Sequence, residues 1–416
     1  MNIYLLVVLG VVIFNYLIEL LSEGCNLKNI SPRLDNEFAG YYDADKYRKS
    51  QDYLRETTKF ALLKQGLFSA LIIGFILLGG FNFADKFARG FGVGPIITGL
   101  ILAVSLMLAM QLLQIPFAAY RTFVLEERFG FNRTDVKTFI LDSLKGLVIS
   151  AVLAGGLFAL LLWIFQTAKE AAWIYCWLAV SLFQLFLVFI SPLFILPLFN
   201  KFIPLKQGAL EKAIREYATS QRFGVGDIFK IDASRRSSKS NAYFSGFGKS
   251  RRIALFDTLI AKHTLEELVS ILAHEVGHYK KRHILKIMAV SVLSTGVMFY
   301  LLPFFIAEPG LFAAFKMEQI SVYAGFFFFA LLYTPINLLF SVFKNYLSRR
   351  YEYAADRYAV SSYGKPEAFI SALKKLTVDN LSNLKPHPLK VFLDYSHPPV
   401  LQRIKAIRGL LSASPN

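Results

Sequence analysis

Seven long apolar stretches dominate this sequence, over residues 3–21, 67–83, 95–117, 146–165, 173–199, 284–306 and 322–343. A hydrocarbon core about 30 Å thick is crossed by roughly 17–25 apolar residues in a helix. Lipid offers no partner to backbone N–H and C=O groups, so single segments of this kind cross as helices. The composition agrees: 55% of residues are hydrophobic and 18% charged, against about 25% charged in soluble domains. That excludes a disordered chain, a coiled coil and a collagen-like fibre. The expected fold is therefore an all-α polytopic membrane protein with seven transmembrane helices. The first stretch has no basic leader, and Ser22-Glu23-Gly24-Cys25 is a poor cleavage site, so it reads as an uncleaved span. The two cysteines, Cys25 and Cys176, cannot build a disulfide framework or a cysteine-based metal site.

Charge orients the bundle. The net charge is +17, and 42 of the 46 Lys and Arg residues fall in alternate inter-span segments on one side. The other side holds Lys86, Arg89, Lys169 and Lys316, balanced by Asp85, Glu170, Glu308 and Glu318. The positive-inside rule puts the basic side in the cytoplasm, the N-terminus outside and the C-terminus inside. The whole positive excess is then a topology signal. A nucleic-acid partner is not expected, because the sequence offers no stacking platform or recognition helix beside its basic residues.

Two long segments on the basic side leave room for soluble structure. Residues 200–283 read as a helix over 208–223 and short strands over 228–232, 241–247 and 252–256, with Gly248-Lys249-Ser250 as a hairpin turn. A further helix starts at Thr264, where Thr264 and Glu267 fit a capping box. Residues 344–416 read as two or three helices interrupted by prolines. The expected organisation is spans one to five over residues 1–199, catalytic segments over 200–283 and 344–416, and spans six and seven over 284–343.

The capped helix contains His274-Glu275-Val276-Gly277-His278, an HExxH motif. Spacing of i and i+4 sets both imidazoles on one helical face, as two zinc ligands require. Glu275 then lies beside the metal, able to take a proton from its water. A catalytic zinc needs a third protein ligand and an open position. Glu352 and Asp356 lie on a helix emerging from the seventh span. Glu352 suits the third ligand, and Asp356 suits the partner of a ligating histidine's distal N–H. The same two acids could instead pair with Arg349, Arg350 or Arg357 on a solvated face. If the motif helix runs straight into span six, His278 sits about 9 Å along the axis from the hydrocarbon boundary. A site at that depth suits membrane-bound substrates.

These residues resemble a known family, the integral-membrane zinc CAAX prenyl proteases of type 1. The resemblance rests on the seven-span layout, Ser240-Asn241-Ala242-Tyr243, the HExxH region to His283, the run from Ser348 to Asp356, Asp379-Asn380-Leu381 and Tyr395-Ser396-His397-Pro398-Pro399. It implies a barrel of seven helices around an internal chamber, with a small α+β zincin-like catalytic domain on the cytoplasmic side. It further implies one zinc per chain on His274, His278 and Glu352, with Glu275 as general base. His397 would donate to the oxyanion, although by sequence alone it is equally a loop histidine held by Pro398-Pro399. Asn241 and Ala242 would lie on an edge strand that binds the peptide backbone. Arg403 could hold the closing segment, and His283 is left as structural. The implied substrates are lipidated or otherwise membrane-bound proteins, cut near the C-terminus, and the implied surroundings are a lipid bilayer. Rival readings are a membrane quality-control protease without a prenyl requirement, and a seven-helix transporter or receptor. The short segment at 307–321 and the lack of a dilysine signal favour a bacterial inner membrane over the endoplasmic reticulum.

Overall fold

The computed structural model describes residues 2–205, 208–245 and 252–412. The turn expected at Gly248-Lys249-Ser250 lies outside them. All seven apolar stretches are helices: Ile3–Lys28, Ala44–Leu77, Pro95–Glu126, Val136–Thr167, Lys169–Phe199, His283–Phe304 and Val322–Tyr363. Several run well past their apolar cores toward the basic end. Span seven is a continuous helix of 42 residues, about 63 Å at 1.5 Å per residue, and so projects far beyond a 30 Å core.

The spans close a ring in chain order. Span one packs on two, three on four, four on five, five on six, six on seven, and seven returns to one. The short helix Gly80–Arg89 bridges spans two and three. Only 6% to 17% of each apolar window is buried, as expected when a one-helix wall exposes both of its faces. At the less basic end the ring is plugged. Phe81 and Ala88 of the helix Gly80–Arg89, and Leu311, Phe312 and Ala314 of the helix Pro309–Ala314, share a core with Leu102, Tyr323 and Phe328. Buried Asp85 locks it, accepting from the Tyr323 hydroxyl at 2.6 Å and from Arg89 at 2.8 Å.

At the basic end, the two segments flanking spans six and seven build one core. Ile214, Ile253, Leu268, Leu272 and Val276 from the first meet Phe369, Ile370, Leu373, Ile404 and Ile407 from the second. A four-stranded sheet lies on this core: β1 (Phe202–Pro204), β2 (Asp227–Ile231), β3 (Ala242–Ser245) and β4 (Arg252–Phe256), in the order β1-β2-β4-β3. The β2–β4 pair is parallel; the β1–β2 and β4–β3 pairs are antiparallel. β1 has no counterpart in the sequence reading. The motif helix, Leu265–Lys280, starts at the expected capping box: Thr264 Oγ accepts from the Glu267 N–H, and the Glu267 carboxylate accepts from the Thr264 N–H.

The motif helix does not run straight into span six. The Lys281 N–H still reaches the Gly277 carbonyl, and the Arg282 N–H closes on Tyr279. Arg282 then takes a left-handed conformation with φ of +55°, and span six begins at His283. The axial distance argued from a continuous helix therefore does not apply on this side. The site still reaches the span ends, because His278 lines a cavity of about 610 Å³ together with Gln184 of span five, Ile287, Met288 and Thr295 of span six, and Asn337 and Lys344 of span seven.

Candidate metal centre

The motif helix and the extension of span seven pack directly against each other. Gly277 sits at their crossing: a Cβ there would stand 3.1 Å from the Ala355 Cα and 3.2 Å from the Tyr358 Cβ. This close approach brings Glu352 to the two histidines. His274 Nε2 and His278 Nε2 lie 3.1 Å apart, Glu352 Oε2 is 3.4 Å from His274 Nε2, and Glu352 Oε1 is 3.1 Å from His278 Nε2. Ligands 2.0–2.1 Å from a tetrahedral zinc stand about 3.3 Å apart, so the donor set has the right chemistry and the right spacing. Glu352 Oε2 is buried without a hydrogen bond, its nearest cation being the Arg403 guanidinium at 3.3 Å, which leaves the carboxylate able to take a metal ion as a further partner.

The surroundings also favour a cation. Glu352 and Asp356 are each 2% exposed, which rules out the solvated-face alternative. Arg349, one of the partners that alternative required, donates to the Val391 and Tyr395 carbonyls. Asp356 Oδ1 is 2.8 Å from His274 Nδ1, as expected of the carboxylate that orients a ligating imidazole. Burial pushes His274 down, but hydrogen bonds to Asp356 and Glu352 outweigh it and hold the ring at about 9. Arg403 balances the acids: Nη2 and Nε reach Asp356 at 2.5 and 2.8 Å, and Nη1 reaches Glu352 at 3.3 Å. Arg403 thus braces the two acids, a closer role than the sequence assigned it.

The other expected residues surround this cluster. Glu275 is half-buried on the next position of the motif helix, and its charge acts on Arg403. His397 is 63% exposed, its Nε2 is 3.4 Å from Glu352 Oε1, and Ser396 Oγ meets its Nδ1 at 2.9 Å. It is therefore at the cluster and open to a substrate. Arg349, by holding the Tyr395 carbonyl, steadies the segment that carries it. Asn241 and Ala242 lie at the start of β3, an edge strand that touches the motif helix. The Asn241 carbonyl accepts from the Phe256 N–H, and Ala242 pairs with Leu255, which leaves the outer edge of β3 without a strand partner among the described residues. Asn380, in the run Asp379-Asn380-Leu381, holds the residue just before this edge. Its Oδ1 accepts from the Ser240 N–H at 3.2 Å and its Nδ2 donates to the Ser240 carbonyl at 3.3 Å, fixing the approach to β3.

A ring of seven spans carrying an HExxH helix at one end defines a membrane-embedded metallopeptidase. The comparisons agree. The CAAX prenyl protease N-terminal, five membrane helices, family model matches residues 26–201, and that of peptidase family M48 matches residues 204–411. The CAAX prenyl protease 1 homolog of Mus musculus is 32% identical, with 91% of this chain and 89% of that protein covered. CAAX prenyl protease 1 of Saccharomyces cerevisiae is 31% identical, with 91% and 88% covered. The crystal structure of S. mikatae Ste24p is similar at a TM-score of 0.91 and 31% identity, covering 98% of this chain and 99% of that one. The chain belongs to the CAAX prenyl protease 1 family of M48 metallopeptidases.

Proposed function

We propose that this protein is a zinc endopeptidase that cleaves near the C-terminus of prenylated CAAX-type or other membrane-associated proteins, holding one zinc per chain on His274, His278 and Glu352. The observation that carries the reading is the convergence of those three donors, from two helices, at tetrahedral spacing. Bound zinc would polarise the scissile carbonyl and acidify the attacking water. Glu275 takes the proton from that water and returns it to the leaving amine. His397 donates to the oxygen that gains negative charge. The outer edge of β3 at Asn241 and Ala242 binds the substrate backbone by strand addition. Asp356 keeps His274 oriented, and Arg403 keeps Asp356 and Glu352 in place.

The cavity beside His278 supports a membrane-bound substrate, since residues of spans five, six and seven line it. The charge distribution supports an external N-terminus, with the catalytic segments and the C-terminus in the cytoplasm, where lipid-modified proteins are made. A bacterial inner membrane is supported by the short segment at 307–321; the animal, plant and yeast sources of the relatives weigh on the other side. Metal analysis of purified wild type against Glu352→Ala tests the site. One zinc per chain, lost in the variant, is expected; undiminished zinc would mean the wrong third ligand. Cleavage of one peptide with and without its farnesyl group tests the substrate class, and equal rates would favour the quality-control reading.

A further inference from the structure

We infer that His283 is the positioning residue for the His278 imidazole, as Asp356 is for His274; this rests on the zinc site proposed above. The sequence gives no hint of such a role. On a continuous helix, five residues turn through 500°, so His283 would point about 140° away from His278. The left-handed Arg282 alters that geometry. His283 Nδ1 stands 3.0 Å from His278 Nδ1, with the rings 5.0 Å apart and nearly perpendicular. His283 is 4% exposed and stacks on Tyr351 at 4.4 Å and 7°. Tyr351 is the residue before Glu352, so the His283 ring meets His278 on one side and the chain neighbour of Glu352 on the other.

The hydrogen bond fixes a tautomer. His278 turns Nε2 toward His274 and Glu352, so a ligating His278 carries its proton on Nδ1. His283 must then accept on Nδ1 and keep its own proton on Nε2. Both ligating histidines thereby have an acceptor behind them: a carboxylate for His274 and a neutral imidazole for His278. A non-glycine residue in the left-handed region is strained, and strain of this kind survives where surrounding contacts over-determine it. Here those contacts include the His283 hydrogen bond and its aromatic stack.

Two substitutions separate the hydrogen bond from the packing. His283→Phe keeps the stack on Tyr351 and loses the acceptor. His283→Asn loses the ring and keeps an oxygen near the Nδ1 position. Zinc dissociation constants are measured by chelator competition on the full-length protein, alongside the melting temperature of each metal-free protein. The Phe variant is expected to bind zinc 10–100-fold more weakly while its metal-free melting temperature stays near wild type. The Asn variant is expected to stay within a few-fold of wild type. Should the Phe variant not fold, His283→Ala replaces it, since Ala also lacks the acceptor. Zinc bound as tightly without the acceptor as with it, or Asn falling as far as Phe, overturns the inference. Wild type without zinc overturns the proposed function instead.

Discussion

Gly277 offers a test of what sets the distance between the two helices that carry the proposed zinc ligands. In Gly277→Ala the new methyl carbon would lie 3.1 Å from both Cα and O of Ala355, and 3.2 Å from the Tyr358 Cβ. Comfortable carbon–carbon contact is about 3.5–4.0 Å, so the helices must part by roughly half an ångström. The neighbours are backbone and Cβ atoms, which cannot rotate away. Overpacking of this kind costs about 1–3 kcal/mol, and replacing Gly by Ala inside a helix returns up to about 1 kcal/mol. The net loss of stability is therefore about 0–3 kcal/mol, below the roughly 5–15 kcal/mol that holds most proteins folded. Metal binding is the more sensitive readout. Gly277 precedes His278, and Ala355 follows Glu352 by three residues, so the separation acts directly on the ligand spacing. Metal–ligand distances tolerate about ±0.2 Å, less than half of the expected movement. Zinc affinity should fall at least tenfold, about 1.4 kcal/mol, with peptidase activity falling alongside it. Chelator competition and a metal-free melting curve on the same preparation separate the two effects. A variant that binds zinc like wild type and keeps full activity would refute the claim that this contact sets the spacing.

Three further outcomes follow from individual residues. Glu275→Gln should keep its zinc while the rate of peptide cleavage falls by about 10²–10⁴; retained activity would remove Glu275 as the base. His397→Ala should likewise keep zinc and lose about 10²–10³ in kcat, measured on the same peptide. His263, between the last strand and the motif helix, gives a pH dependence. Burial, with Nε2 left unpartnered, holds its ring below the ordinary value even though Nδ1 meets the Leu259 carbonyl. An unfolded-state ring titrates near 6.5, so below that pH the unfolded chain takes up a proton that the folded ring resists. Stability should fall as the pH drops from about 6.5 through the folded value, and be unaffected by this group above it. The difference in melting temperature between wild type and His263→Asn should appear only on the acid side; a difference constant from pH 7.5 down to about 5 would show that the ring acts through packing alone.

The spans and the HExxH helix were legible because each rests on a short-range rule. An apolar length specifies a crossing, and spacing of i, i+4 specifies a shared face. The role of Glu352 was open from its own neighbourhood, since three arginines lie within five residues of it. What decides the matter is which face of the span-seven extension meets the motif helix, and that depends on Gly277 packing on Ala355 across the fold. The break at Arg282 carried no signal at all. Lys280-Lys281-Arg282 contains neither Gly nor Pro, so nothing local ends the helix there, and a continuous helix would set His283 on a different face from His278. β1 and the two short helices at the plugged end were missed because three to ten residues are too few to show a period.

The positive charge illustrates how one composition can serve two purposes. As a count, the excess on one side supports the orientation proposed above. As a set of positions, part of it fastens the catalytic segments to the spans. Lys239 pairs with Glu126 at the end of span three, and Arg236 with Asp142 on span four. Lys374 pairs with Glu37 between spans one and two, and Lys390 with Glu19 and Glu23 on span one. Exposed pairs contribute at most about 1 kcal/mol each, but Lys374 and Lys390 are only 10% and 12% exposed. Removing one partner of a buried pair leaves an uncompensated charge, which costs more than the pair itself contributes. Lys239, Arg236, Lys374 and Lys390 are thus committed within the protein, tying the catalytic segments to the spans.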